Sequence, residues 1–356
     1  MTETEFLTLI GLVSQYSPSG QERGAVEWLV VRLKSLSYDD AFIDEAGNAV
    51  GVMGQGPKQV VLLGHIDTVP GEISVRRDSI SPYEVLYGRG SVDAKGPLAC
   101  FVDAVAQAGA REGWQFVVIG AVEEERDSEG ARFAATHYQP DFAIIGEPSQ
   151  WDRVALGYKG SASVRITVTG GQAHPASGAE TAAEAAVKAW LKIKAYVDLF
   201  NADKQKLFDK LLLTLRGIAS DSNDFEQWTR IEVGVRLPVD VSPESWYGKV
   251  REIVDGAIVE PLGFPVPAWE SAKNSRLVRC FLSAIRSQGG EPRFVYKTGT
   301  ADLNIVAPVW GCPTLVYGPG DSSLDHTATE HIALQDYTNS VRVLGFVLDK
   351  LVETIC

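Results

Sequence analysis

Four cysteines in 356 residues (Cys100, Cys280, Cys312 and Cys356) stand far apart, with no Cys-x-x-Cys pair among them. This spacing excludes a disulfide framework and a thiolate metal knuckle, and predicts small core cysteines in a reducing cytoplasm. Basic residues are also short: 33 Lys and Arg face 46 Asp and Glu, a formal net charge of −13. Such a chain repels nucleic-acid phosphates and anionic lipid, so neither is an expected partner. No apolar run reaches the about 18 residues that would suggest a membrane span. Residues 1–6 carry Glu3 and Glu5 but no basic region, so no signal peptide is expected. What is present, 45% hydrophobic and 22% charged residues, describes an ordinary globular protein, and its length suggests two domains at about 100–200 residues each.

Apolar residues at three- and four-residue spacing predict helices over 4–15 and 22–36, joined by a turn at Ser17-Pro18-Ser19-Gly20. Short apolar runs at 60–63, 116–119, 142–145 and 314–317 read as buried strands, alternating with helical stretches at 97–108 and 129–138. That is an α/β pattern. From about residue 160 the texture changes to polar-apolar alternation at 161–169 and 230–237, with helices at 181–200 and 245–254. A small α+β unit is expected there, closed by the Pro-rich stretch 261–267, after which α/β texture resumes at 277–287. The expected domains are 1–158 and 269–356, the two parts of a larger domain, with 159–268 inserted between them.

Chemistry-bearing residues fall directly after the predicted strands. Gly64-His65-Ile66-Asp67 follows the first, Glu123-Glu124-Glu125 the second and Gly146-Glu147 the third, while His326 lies downstream of the fourth. Asp93 sits in a Gly-rich loop, Gly88-Arg89-Gly90-Ser91-Val92-Asp93-Ala94-Lys95-Gly96, just before a helix. In open α/β sheets the ligand crevice lies beyond the carboxyl ends of the strands, so these groups should converge. Gathered there, they would repel one another and lose hydration unless a cation neutralised them. Mixed imidazole and carboxylate donors without thiolate suit zinc or a similar first-row ion, and a carboxylate can bridge two such ions. Asp67, on the same strand face as His65, can accept the other ring N–H and fix the tautomer.

The sequence from Gly64 to Pro70, the Asp93 loop, the acidic triplet, Ile145-Gly146-Glu147-Pro148-Ser149 and the late His326 occur in that order. They resemble the two-zinc family of acetylornithine deacetylase, succinyl-diaminopimelate desuccinylase and related aminoacylases and exopeptidases, over nearly the whole chain. The resemblance implies a helix-covered α/β catalytic domain with an inserted α+β dimerisation or lid domain. It implies that His65 and Glu147 hold one metal, that Glu125 and His326 hold the other, that Asp93 bridges them, and that Glu124 is the general base. Two zinc ions per subunit are implied, for which cobalt can substitute.

Gly170-Gly171-Gln172-Ala173-His174-Pro175-Ala176-Ser177 looks like the family motif in which a histidine reaches the partner subunit's active site, which would make His174 an oxyanion stabiliser in a homodimer. Arg236, in Val235-Arg236-Leu237-Pro238, matches a family arginine suited to forked recognition of a substrate carboxylate. Gly157-Tyr158-Lys159-Gly160, Lys297-Thr298-Gly299-Thr300-Ala301-Asp302 and the segment from Tyr317 to His326 look like the branch that releases lysine or ornithine from the terminal glutamate of an amino-group carrier protein. Lys159, Lys297 and Thr300 are then candidate carboxylate-binding groups. The other enzyme reading is a deacetylase of small substrates such as acetylornithine or acetyl-lysine, and a third is a non-catalytic binding protein of the same fold. An acidic carrier would meet a chain of net charge −13, so local rather than net charge must decide its docking.

Overall fold

A computed structural model describes residues 3–353. Contacts divide the chain into two compact units, one formed by Met1–Gly157, Ser271–Val295 and Ala301–Cys356, the other by Tyr158–Glu270 with Tyr296–Thr300.

The larger unit is α/β. Its main sheet runs in the order Asp40–Ile43, Ala49–Met53, Trp114–Ala121, Lys58–His65, Phe142–Gly146, Thr314–Val316 and Arg153–Tyr158. The central four are parallel, with Leu62 between Val118 and Ile144 and with Val316 opposite Ile145. Val60, Val61, Leu62 and Leu63 are wholly buried, as a strand covered on both faces requires. Helix Lys95–Ala108 packs on this strand and its neighbours, and helix Arg23–Ser35 packs on the edge strands. At the carboxyl end Gly64 lies opposite Gly146, and a Cβ on Gly146 would stand 2.9 Å from Phe101 Cε2. Glycine there lets Phe101 close over the strand ends.

The smaller unit follows a β-α-β-β-α-β order. Its antiparallel sheet runs Leu212–Ser222, Glu226–Leu237, Gly160–Gly171, Ile258–Val266. Helices Ala182–Asn201 and Pro243–Ile253 share a core with it that includes Val164, Ile166, Ile193, Val233, Val235 and Trp246. Each helix begins with a side-chain cap. Thr181 and Glu184 form a reciprocal capping box, and Ser242 accepts from Ser245 N–H ahead of Pro243.

Two expectations, on the first helix and on the cysteines, need correction. The first helix is shorter than predicted, a 3-10 turn at Glu3–Phe6 followed by Leu7–Val13. The Pro-rich stretch falls at the end of the smaller unit, which runs to Glu270, and Pro261 and Pro265 lie within its edge strand Ile258–Val266. The reading of all the cysteines as core residues fits Cys100, which is buried, whereas Cys280 and Cys312 are half-buried; Cys356 lies outside the described residues. No helix among the described residues is long and apolar enough to cross a membrane.

Candidate metal centre

Because the parallel strands end in register, with His65 opposite Ala121 and Gly64 opposite Gly146, the segments that follow them leave the sheet side by side. Five side chains of the larger unit meet there. His65 Nε2 lies 3.1 Å from Asp93 Oδ1 and 3.9 Å from Glu147 Oε1. His326 Nε2 lies 3.0 Å from Asp93 Oδ2 and 2.9 Å from Glu125 Oε1. Asp93 therefore stands between the two imidazoles and offers a different oxygen to each. Ligand atoms of His65, Asp93 and Glu125 all fall within 4.8 Å of one another, a spacing that one ion can span.

The tautomer of His65 follows from its neighbours. Its Nδ1 faces the Asp67 carbonyl at 3.0 Å and Asp67 Oδ1 at 3.3 Å. An N–H on Nδ1 donates to these oxygens, so Nε2 is the ring nitrogen directed at the cluster. Asp67 is in turn fixed by Ser19, whose hydroxyl donates to it at 2.7 Å.

Backbone strain gathers at the same place. Glu123 and His326 both take left-handed φ values of 61°, which costs a non-glycine residue on the order of 1–3 kcal/mol and tends to mark functional sites.

The electrostatics express an excess of negative charge. Burial pushes the Glu124 carboxyl well above its ordinary value, and nearby Glu147, Asp302 and Glu125 add to the effect. Glu147 is likewise raised, first by burial and then by Asp93, Asp302 and Asp325. Hydrogen bonds to Asp93 and Glu125 lift His326 to about 10. Burial opposes the charge of Asp93, yet hydrogen bonds from His326 and His65 hold its carboxyl below the ordinary range. A cation bound among these groups would relieve that excess. Three carboxylates and two imidazoles without thiolate suit divalent first-row ions, so the donor set fits the metal that the sequence implies.

The other candidate residues belong to the smaller unit. Arg236 and Thr300 come together, with Nη1 donating to Oγ1 at 3.0 Å. Lys159 N–H donates to the Lys297 carbonyl at 3.2 Å. The Lys159 ammonium is buried and donates to the carbonyls of Phe208, at 2.8 Å, and Lys210. His174 is exposed, its Nδ1 accepting the N–H of Ala176 at 3.1 Å.

Two neighbours of the centre had no role in the sequence reading. Ser19 was read only as part of a turn. Asp302, quoted within a motif, is 1% exposed, is pushed up to about 7 by burial, and adds its charge beside Glu124 and Glu147. His331 opens the short strand His331–Ala333 ahead of helix Leu334–Val352.

The profile of peptidase family M20/M25/M40 matches residues 61–350, a span that contains every residue of the centre. The chain belongs to this family. Within it, the [LysW]-lysine hydrolase of Deinococcus radiodurans is 41% identical over 350 residues, covering 96% of this chain and 95% of the relative. The [LysW]-lysine/[LysW]-ornithine hydrolase of Sulfurisphaera tokodaii is 28% identical over 354 residues, with 94% of each chain covered. Among solved structures, aminopeptidase PepT from Bacillus cereus superposes with a TM-score of 0.78 at 17% identity, with 97% of each chain covered. That likeness extends the shared M20 fold across both units. The chain is thus a metal-dependent hydrolase of amide bonds by family, with a helix-covered α/β unit and an α+β insert.

Proposed function

We propose that this protein is a two-zinc amidohydrolase that releases lysine, and also ornithine, from the terminal glutamate of an amino-group carrier protein in lysine and arginine biosynthesis. The observation that carries the proposal is Asp93 standing between His65 and His326 with one oxygen toward each. The resemblance to the Deinococcus radiodurans enzyme, 41% identical across 96% of the chain, supports the choice of substrate.

His65 and Glu147 would hold one ion, Glu125 and His326 the other, with Asp93 shared. Bound there, divalent ions supply Lewis acidity and lower the pKa of a water. Zinc is the proposed metal, with cobalt as a substitute. Glu124 takes the proton of the attacking water and returns it to the leaving amine; its buried setting, which raises its carboxyl, favours holding that proton between the two steps. Asp67 fixes the ring of His65. In a cytoplasmic homodimer His174 would stabilise the oxyanion across the interface. Arg236, with Thr300 beside it, would receive the substrate carboxylate, with Lys297 as a further candidate, whereas the Lys159 ammonium is taken up by the carbonyls of Phe208 and Lys210.

The test compares turnover of carrier-linked lysine, carrier-linked ornithine, acetyl-lysine and acetylornithine by the zinc-loaded protein. Efficient turnover of the carrier conjugates is expected. Turnover confined to the acetyl compounds would replace the proposal with a small-molecule deacetylase. Lysine and ornithine differ by one methylene, worth only about 1–3 kcal/mol in a pocket, so use of both is expected.

A further inference from the structure

Arg89 and Glu330, 241 residues apart, form a buried ion pair with Nη1 to Oε2 at 2.9 Å. The other Glu330 oxygen accepts the backbone N–H groups of Val92 at 2.9 Å and Asp93 at 3.2 Å. Arg89 also donates through Nε to the Gly71 carbonyl at 2.8 Å and through Nη1 to the Thr327 carbonyl at 3.1 Å. The pair thus grips the backbone of Asp93 on one side and of the residue after His326 on the other. A buried ion pair is weak evidence for stability, because apolar residues of similar volume serve as well. A pair with charge-assisted bonds aimed at two ligand-bearing loops has geometry as its product.

The two halves of the centre are held differently. His65 ends the strand Lys58–His65, and Glu147 directly follows Phe142–Gly146, which pairs with it in parallel. Asp93 and His326 lie on loops, and His326 has the strained left-handed backbone. We infer that Arg89 and Glu330 are positioning residues that set the separation between Asp93 and His326, and so govern the ion on the His326 side more than the ion on the His65 side. The inference rests on the two-ion reading of the site.

Metal-free wild type, Glu330→Gln and Arg89→Lys are titrated with zinc by calorimetry and with cobalt by visible absorption, with thermal melting of the metal-free proteins alongside. His326→Ala, which removes a ligand from one side, marks which binding step belongs to that side. The wild type is expected to take up two ions; uptake of one removes the two-ion reading and this inference with it. In Glu330→Gln and Arg89→Lys the step marked by His326→Ala should weaken by about tenfold or more. The other step should weaken clearly less, the cobalt spectrum should be altered, and kcat should fall with KM retained. Two unchanged steps overturn the inference while leaving the two-ion reading intact. Equal weakening of both steps, in parallel with a lower melting temperature, also overturns it, since that is the signature of general damage. Should Glu330→Gln not fold, Arg89→Lys, which keeps the charge but cannot reach three oxygens at once, is judged by the same outcomes.

Discussion

Asp67 accepts the main-chain N–H of Glu124 on its Oδ1 at 3.1 Å. Its Oδ2 accepts that of Glu125 at 3.1 Å, and its own carbonyl faces His65 Nδ1 at 3.0 Å. One buried aspartate therefore aligns an imidazole, the proposed base and a carboxylate from the other half of the centre. In Asp67→Asn an amide NH₂ replaces one acceptor and meets a backbone N–H. The expected result is a loss of about 10–100-fold in kcat or metal affinity. Steady-state kinetics at saturating zinc, paired with a metal titration, measure it. Wild-type values for both would remove Asp67 from any positioning role.

Glu124 is separable from the ligands by the same kind of comparison. Glu124→Ala and Glu124→Gln should bind metal as the wild type does and lose about 10²–10⁴-fold in kcat, the range for a positioned general base. Unchanged turnover would exclude Glu124 as the base, and loss of an ion would show that the acidic triplet is read one residue out of register.

Local pattern explains which parts of this architecture were legible from sequence. Apolar runs of four residues ending in glycine mark strands buried on both faces, so the carboxyl-edge positions of His65 and Glu147 could be read before any coordinates. Alternation at 161–169 and 230–237 likewise announced the insert. Ser19, Asp302, Arg89 and Glu330 carried no such mark. Ser19 touches Asp67 across 48 residues and Arg89 touches Glu330 across 241; only tertiary folding gives these residues their partners. The strand Ile258–Val266 was hidden by its Pro261 and Pro265 for a related reason, because proline signals a break except at a sheet edge, and edge position is a property of the whole sheet.

Arg236 Nη1 donates to Thr300 Oγ1 at 3.0 Å, which fixes one arm of the guanidinium fork. If that fork receives a substrate carboxylate, Arg236→Lys keeps the charge and loses the planar two-point contact. KM should rise on the order of tenfold, equivalent to about 1.4 kcal/mol, with kcat little changed. A fall in kcat at constant KM would place Arg236 in transition-state stabilisation instead.

Asp336 provides a pH test on a carboxyl that is not among the proposed ligands. Its carboxylate accepts Trp151 N–H at 2.8 Å and Gly320 N–H at 2.6 Å, joining the segment after Glu147 to the loop that leads to His326. Burial nonetheless lifts its pKa to about 6. A carboxyl raised in the folded state binds its proton more tightly there than in the unfolded chain. Its contribution to stability is therefore complete below the ordinary value near 4 and is lost as pH rises to about 6. Urea unfolding of the metal-free protein and of Asp336→Asn at intervals from pH 4 to 7 tests this. The stability difference, wild type minus variant, should shrink by on the order of 2 kcal/mol across that window and be flat above it. A difference that grows with pH would mean that the two backbone N–H groups outweigh burial and that Asp336 is ionised throughout.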